Sequence, residues 1–204
     1  VNNIKIKIDE YLEFDSELLF KPFLLTRIFG GAIRDSISGD KINDIDLLCG
    51  SRSMVFVNHI LENNGYNFIE SLQAKDLTSV YSDIHVICEP HTWMKGEKIV
   101  QVIRPAFRNN MNKSEYESEF LNLISNVDVS CCGVSWFGEL QENYPNAIIH
   151  CQNRVFSVNE KAKMYSHSRI HHRIDKFTNR GWARIENNVI NNRHEKINNI
   201  LNFF

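Results

Sequence analysis

Twenty-two residues, FGGAIRDSISGDKINDIDLLCG (29–50), restrict this chain more than any other part of it. LLTRIF (24–29) reads as a strand running into Gly30-Gly31, AIRDSIS as a short helix ended by Gly39, and DIDLLCG as a second strand. A strand, a glycine turn, a helix and a strand in so few residues commit the chain to a mixed architecture in which helices pack on a sheet.

The remaining segments fit that architecture. SRSMVFVNHILENNG opens on a serine that is a candidate helix cap, spaces Val55, Ile60 and Leu61 at near-helical intervals and closes on Asn64-Gly65, so it is expected to be a helix on the sheet. TSVYSDIHVICE (78–89) and EKIVQVIR (97–104) have strand character, and SEYESEFLNLIS is an amphipathic helix from Ser114. NVDVSCCGVSW reads either as a strand or as the start of a buried helix. AIIHC and RVFSV are expected to form a short hairpin ahead of a helix from about Asn159 to Asn179. The fold class is α+β, a small mixed sheet flanked by helices, with residues 1–150 as the core and 151–204 as a basic, mainly helical extension packed on it.

At 204 residues the chain is long enough to bury a substantial core. No apolar run reaches the roughly 18 residues of a membrane span, and VNNIKIKIDEYLEF carries acidic residues where a signal peptide has its apolar stretch. A cytoplasmic protein with no membrane partner is expected. The five cysteines, Cys49, Cys88, Cys131, Cys132 and Cys151, show neither the spacing of a disulfide framework nor that of a zinc site, and read as reduced, mostly buried thiols. Charge is uneven along the chain: residues 151–204 hold 10 Lys and Arg against 4 Asp and Glu, whereas residues 1–150 hold 13 against 21. Such a division either sets a basic surface opposite an acidic, metal-binding one or reflects a solvated helix face.

The chemistry concentrates in residues 29–50. Adjacent glycines let a backbone approach a phosphate closely, and the helix that follows points amide N–H groups at it. Arg34, one turn on, is placed to add a charged fork for phosphate oxygens. On the second strand Asp44 and Asp46 are two residues apart, so both side chains leave the same face. Two neighbouring carboxylates repel unless a cation lies between them, and Mg²⁺ accepts a few carboxylates together with substrate phosphates.

In order and spacing, Gly30, Gly31, Arg34, Asp35, Gly39, Asp44 and Asp46 resemble the signature of the head domain of tRNA nucleotidyltransferases and bacterial poly(A) polymerases, in the DNA polymerase β-like nucleotidyltransferase superfamily. That resemblance implies Asp44 and Asp46 as catalytic carboxylates holding two Mg²⁺ ions, one for the acceptor hydroxyl and one for the departing pyrophosphate. It also implies Gly30, Gly31 and Arg34 around the triphosphate of an NTP. Asp35 is either a direct ligand or a helix-start carboxylate and partner for Arg34. A looser match sets Asp128 and Ser130 at the aspartate and threonine of a nucleotide-reading motif whose two arginines are missing here. Asp128 is therefore a nucleotide-binding candidate or a helix cap. Arg169, Arg173 and Lys176 form one helical stripe, and Arg169 and Arg173 are further candidates for phosphates or the nucleotide. His171 and His172, adjacent in sequence, point apart and read as surface residues.

The pattern breaks in two places. Many members of the superfamily add a third carboxylate from a neighbouring strand, and Gln101 stands where it is expected; Asp83 and Glu89 are substitutes on the preceding strand. The long helical domains that grip tRNA in the family have no counterpart of that size after residue 160. The expected activity is transfer of a nucleoside monophosphate from an NTP to a hydroxyl, with an RNA 3′ end as acceptor. The alternatives are a toxin-like transferase acting on a protein or small-molecule hydroxyl, a nucleotide-binding module without turnover, and a partner-binding protein with a vestigial motif.

Overall fold

The structure, a computed structural model, describes residues 2–71, 88–105, 113–159 and 167–186. It opens with a helix absent from the expectations above, α1 (Asn2–Leu12), whose Ile4, Ile8 and Leu12 recur at helical intervals and are buried. The expected unit follows as β1 (Thr26–Phe29), α2 (Gly31–Ser38) and β2 (Asp44–Cys49), with Gly39 in the left-handed region closing α2. Next come α3 (Ser51–Asn63), β3 (Asn67–Ser71), β4 (Cys88–Lys95), β5 (Lys98–Pro105) and α4 (Lys113–Ser125). The chain continues through a 3-10 turn at Ser130–Cys132 into β6 (Val134–Trp136), β7 (Leu140–Glu142), α5 (Ala147–Gln152), β8 (Val155–Phe156), α6 (His167–Asn179) and β9 (Ala183–Arg184). No described helix is long and apolar enough to cross a membrane.

Seven strands form one mixed sheet in the order β3-β4-β5-β2-β1-β6-β7. Every neighbouring pair is antiparallel except β2 with β5, which run parallel because α3 and the β3–β4 segment carry the chain across between them. Central strand β2 shows why the sheet has two unlike faces. Ile45, Leu47 and Cys49 are fully buried against the main core, which α1, α2, α3 and α5 supply. On the opposite face Leu48 joins Ile103 beneath Phe120 and Ile124 of α4, while Asp46 is half-buried and Asp44 exposed. This second face therefore closes over Leu48 and opens at the carboxylates.

Several local expectations are corrected. AIIHC is helix α5 rather than half of a hairpin: Ala147, His150 and Cys151 share one buried side at helical spacing. RVFSV contributes β8, which pairs in parallel with the distant β9. Gly50 rather than a serine caps α3, without a side-chain bond, and the serine that matters there is Ser53, whose Oγ accepts the Leu25 amide at 2.8 Å. NVDVSCCGVSW resolves into a 3-10 turn followed by a strand. Almost all of TSVYSDIHVICE, including Asp83, lies outside the described residues, as do residues 160–166 ahead of α6.

Candidate active site

Gly30 leaves β1 with φ 67° and ψ −120°, a backbone that an L side chain adopts only with strain, and this reversal starts α2. Its amide donates to Val134 O at 3.0 Å, which fixes the turn to β6. A Cβ on Gly31 would lie 4.0 Å from Asp44 Oδ1, so the Gly-Gly turn and the start of β2 border one cleft. The first-turn amides of α2 have no acceptor within their own helix and are available at that border.

Among the described residues, neither the Asp44 nor the Asp46 side chain makes an ion pair or hydrogen bond. The Asp46 carboxyl is pushed up to about 7, first by burial and then by the charge of Asp44, while Arg173 and Lys176 pull it back. The basic stripe of α6 thus faces β2 across the cleft. Arg173 Nε donates to Asp128 Oδ2 at 2.8 Å and Arg169 Nε lies 3.5 Å from the same oxygen. Asp128 does not cap a helix: the 3-10 turn after it begins at Val129 with no side-chain cap. Instead, it tethers α6 to the strand side of the cleft. His171 and His172 are exposed.

Arg34 is placed differently from the expected phosphate fork. It is 4% exposed, its Nε donates to Asp35 Oδ1 at 2.7 Å, its Nη1 donates to Cys132 Sγ at 3.3 Å, and its guanidinium stacks 4.9 Å from the Phe177 ring. Burial works against its charge, but Cys132 and Asp35 outweigh burial and hold it above the ordinary arginine value. Asp35, 2% exposed, also accepts Arg180 Nη2 at 3.0 Å. Arg34 Nη2 would lie 3.7 Å from a Cβ on Gly31, beside Asp44 Oδ1, so the buried Arg34–Asp35 pair packs against the Gly-Gly turn.

Two carboxylates on one face with no protein cation in contact suit a hard divalent ion. No group of three or more His, Cys, Asp or Glu able to hold a metal occurs among the described residues, so water and substrate phosphates would complete its shell. Gln101 pairs with Asp46 in the β2–β5 register, which puts an amide beside the carboxylate pair. Glu89 occupies the β4 position opposite Arg104, out of phase with Gln101.

No protein-family model matches the sequence, and no curated protein matches it. Solved structures do match. A CCA-adding enzyme with CTP superposes with a TM-score of 0.62 at 14% identity, over 91% of this chain and 43% of that one. An apo CCA-adding enzyme gives 0.63 at 15% identity, over 91% and 41%. The Thermotoga maritima CCA-adding enzyme complexed with tRNA gives 0.55 at 13% identity, over 91% and 39%. The chain has the tRNA nucleotidyltransferase head fold. At these identities the likeness is one of fold, and the chain spans about two fifths of the length of these enzymes.

Within this nucleotidyltransferase fold, several residues that shape the cleft escaped the sequence reading. Cys132 touches Arg34, and its thiol is held below the usual range by the Cys131 thiol hydrogen-bonded to it, against burial, and then by Arg34 and Arg173. Arg180 joins Asp35 to Asp40, and Phe177 and Trp182 form the aromatic bed for Arg34. Tyr11 of α1 donates its hydroxyl proton to Asn43 O at 2.7 Å and accepts the Ile99 amide at 2.8 Å, clasping β2 to β5 just before Asp44. No motif marks these residues; only the alternation of aromatic and basic residues around 173–182 hinted at the bed.

Proposed function

We propose that this chain is a nucleotidyltransferase that moves a nucleoside monophosphate from an NTP to an acceptor hydroxyl, with an RNA 3′ end as the acceptor. The observation that carries the reading is the unpaired Asp44–Asp46 couple, bordered by the Gly-Gly turn and faced by the cations of α6. Asp44 and Asp46 would hold Mg²⁺, which when bound activates the acceptor hydroxyl and neutralises charge on the departing pyrophosphate. The amides after Gly30-Gly31 receive triphosphate oxygens, and Arg173 and Lys176 offset their charge from the other wall. Arg34 and Asp35 keep the turn rigid, and Asp128 holds Arg169 and Arg173 in place. The RNA acceptor is supported by the likeness to CCA-adding enzymes, one of which was solved with tRNA.

A second reading rests on Gln101, a neutral amide beside Asp46 where a third carboxylate would stand. It makes the chain a nucleotide-binding module without turnover. One experiment separates the two: purified protein, Mg²⁺, each α-labelled NTP in turn and a small-RNA pool, with the Asp44→Ala, Asp46→Ala double variant as control. Label entering RNA and lost in the variant is the outcome expected of the transferase. NTP binding with no transfer to any acceptor overturns transfer and supports the module.

A further inference from the structure

On the sheet face that carries Asp44 and Asp46, the row beyond Asp46 consists of Arg27 on β1, Leu48 on β2 and Ile103 on β5. Leu48 and Ile103 are sealed by α4, whereas Arg27 borders a cavity of about 160 Å³ at the N-terminal end of that helix. Lys21, Lys113, Glu117, Phe120 and Phe137 line it with Arg27.

Arg27 is 8% exposed and no carboxylate among the described residues lies within ion-pair reach of it. Its Nη1 donates to Gln141 Oε1 at 2.5 Å and its guanidinium lies 4.0 Å over the Phe137 ring, which accounts for one of five N–H donors. Burial pulls its pKa down, opposed by the more distant charge of Glu117. Glu117 itself faces Lys113 Nζ at 3.9 Å. The guanidinium nitrogens not bound to Gln141 are not among the buried atoms left without a partner, so they reach the cavity and are free to receive an anion there. Three cations against one carboxylate fix the sign of that anion, and the planar fork of arginine suits phosphate oxygens. The volume falls below the roughly 300 Å³ at which pockets for whole small molecules begin and suits a single phosphate group.

We propose that this cavity is a phosphate-binding site separate from the Asp44–Asp46 cleft, and that it receives a backbone phosphate of the acceptor strand. The acceptor clause rests on the transferase reading above; free inorganic phosphate is the other source of the same chemistry. The row containing Arg27 adjoins the row containing Asp46, so a strand whose 3′ end lies at the carboxylates can pass beside α4.

The test uses the full chain, with Arg27→Met preserving side-chain length over Phe137 and Arg27→Lys preserving charge without the fork. Anisotropy of a labelled single-stranded oligoribonucleotide is titrated at several salt concentrations, NTP binding is measured separately, and melting temperature is followed as inorganic phosphate is added at constant ionic strength. Arg27→Met is expected to weaken oligonucleotide binding about tenfold and reduce the salt slope by about one, leaving NTP affinity unchanged. Arg27→Lys should fall between. If oligonucleotide binding is unchanged but phosphate raises the melting temperature of the wild type and not of Arg27→Met, the site stands and the acceptor strand is overturned as its source. If neither readout moves in either Arg27 variant or in Lys21→Gln, there is no phosphate site. Because label transfer and its loss in the Asp44→Ala, Asp46→Ala variant are measured with Arg27 intact, failure of the transferase reading shows up independently of the Arg27 variants.

Discussion

Arg34 and Arg27 flank the same Gly-Gly turn and are 4% and 8% exposed, yet they have opposite surroundings. Around Arg34, the residues Asp35, Arg180, Asp40 and Arg154 continue a chain of ion pairs in which each buried charge meets another of opposite sign. On the open sheet face, Arg27 has an amide and an aromatic ring, and Asp44 and Asp46 have no ion-pair partner, Arg173 and Lys176 acting on Asp46 only from across the cleft. Paired charge holds backbone in place, whereas charge left unpaired in a fold awaits a ligand of the opposite sign. The paired network is therefore the frame of the site and the unpaired groups are its receptors.

This contrast breaks most visibly at Arg34. Arg34→Met leaves the buried Asp35 with Arg180 alone, and removing one partner of a buried pair is expected to cost about 3 to 5 kcal/mol, read as a lower urea midpoint at unchanged slope. Since the same side chain backs the Gly-Gly turn, NTP affinity should fall with it. A loss below about 1 kcal/mol would show that Arg34 is not part of the frame.

Asp46→Asn should move the opposite way. With its folded pKa raised from the carboxylate value of 3.8 to about 7, Asp46 contributes stability that is complete below about 4 and is lost as pH rises towards 7. Metal-free wild type should therefore lose stability across that window and level off above it. Asp46→Asn should lack that fall and be more stable at pH 8 by about 1 to 3 kcal/mol, while losing transfer activity. Divalent cation should stabilise the wild type and not the variant; equal stabilisation of both would place the metal elsewhere.

Arg27→Met is the sharper comparison with Arg34→Met, because chemistry and burial match and only the partner differs. Exchanging an unpaired buried cation for an apolar side chain of similar length is expected to leave stability within about 1 kcal/mol of wild type, by chemical denaturation in phosphate-free buffer. A loss as large as that of Arg34→Met would mean Gln141 and Phe137 already satisfy the guanidinium.

The Gly-Gly turn, the carboxylate pair and the Arg34–Asp35 contact were legible in the sequence, whereas Arg27 and the rest of the frame were not. Gly30, Gly31, Asp44 and Asp46 sit within one strand-turn-helix-strand unit, where local geometry fixes which atoms meet, so spacing sufficed. Arg34 belongs to the same unit, but its direction depends on Phe177 and Trp182, which reach it only through tertiary packing. Asp128, Arg169 and Arg173 each stand out in the sequence as nucleotide-binding candidates, yet nothing there joins Asp128 to the two arginines across more than 40 residues, where the structure pairs them. AIIHC is too short for its period to separate helix from strand, and β8 finds its partner beyond α6. The N-terminal helix carries its period in Ile4, Ile8 and Leu12 and was legible in the sequence, though absent from the expectations above.

The smallest expected effect lies at the surface, where a paired charge should differ from both buried classes. Glu13 has its side chain 48% exposed and receives Lys95 at 2.8 Å and Lys98 at 2.5 Å. The hydrogen bonds of Lys95 and then Lys98 hold its carboxyl down at about 2. A depressed carboxylate contributes stability that is present above its ordinary value of 4.5 and is lost as pH falls through the folded value, the reverse of Asp46. Wild type and Glu13→Gln melting curves should accordingly differ slightly at pH 6, converge as pH falls from about 4.5 towards 2, and coincide at all pH values in about 1 M salt, where exposed pairs are screened. A difference that survives high salt would move Glu13 into the frame and weaken the view that burial makes paired charge structural.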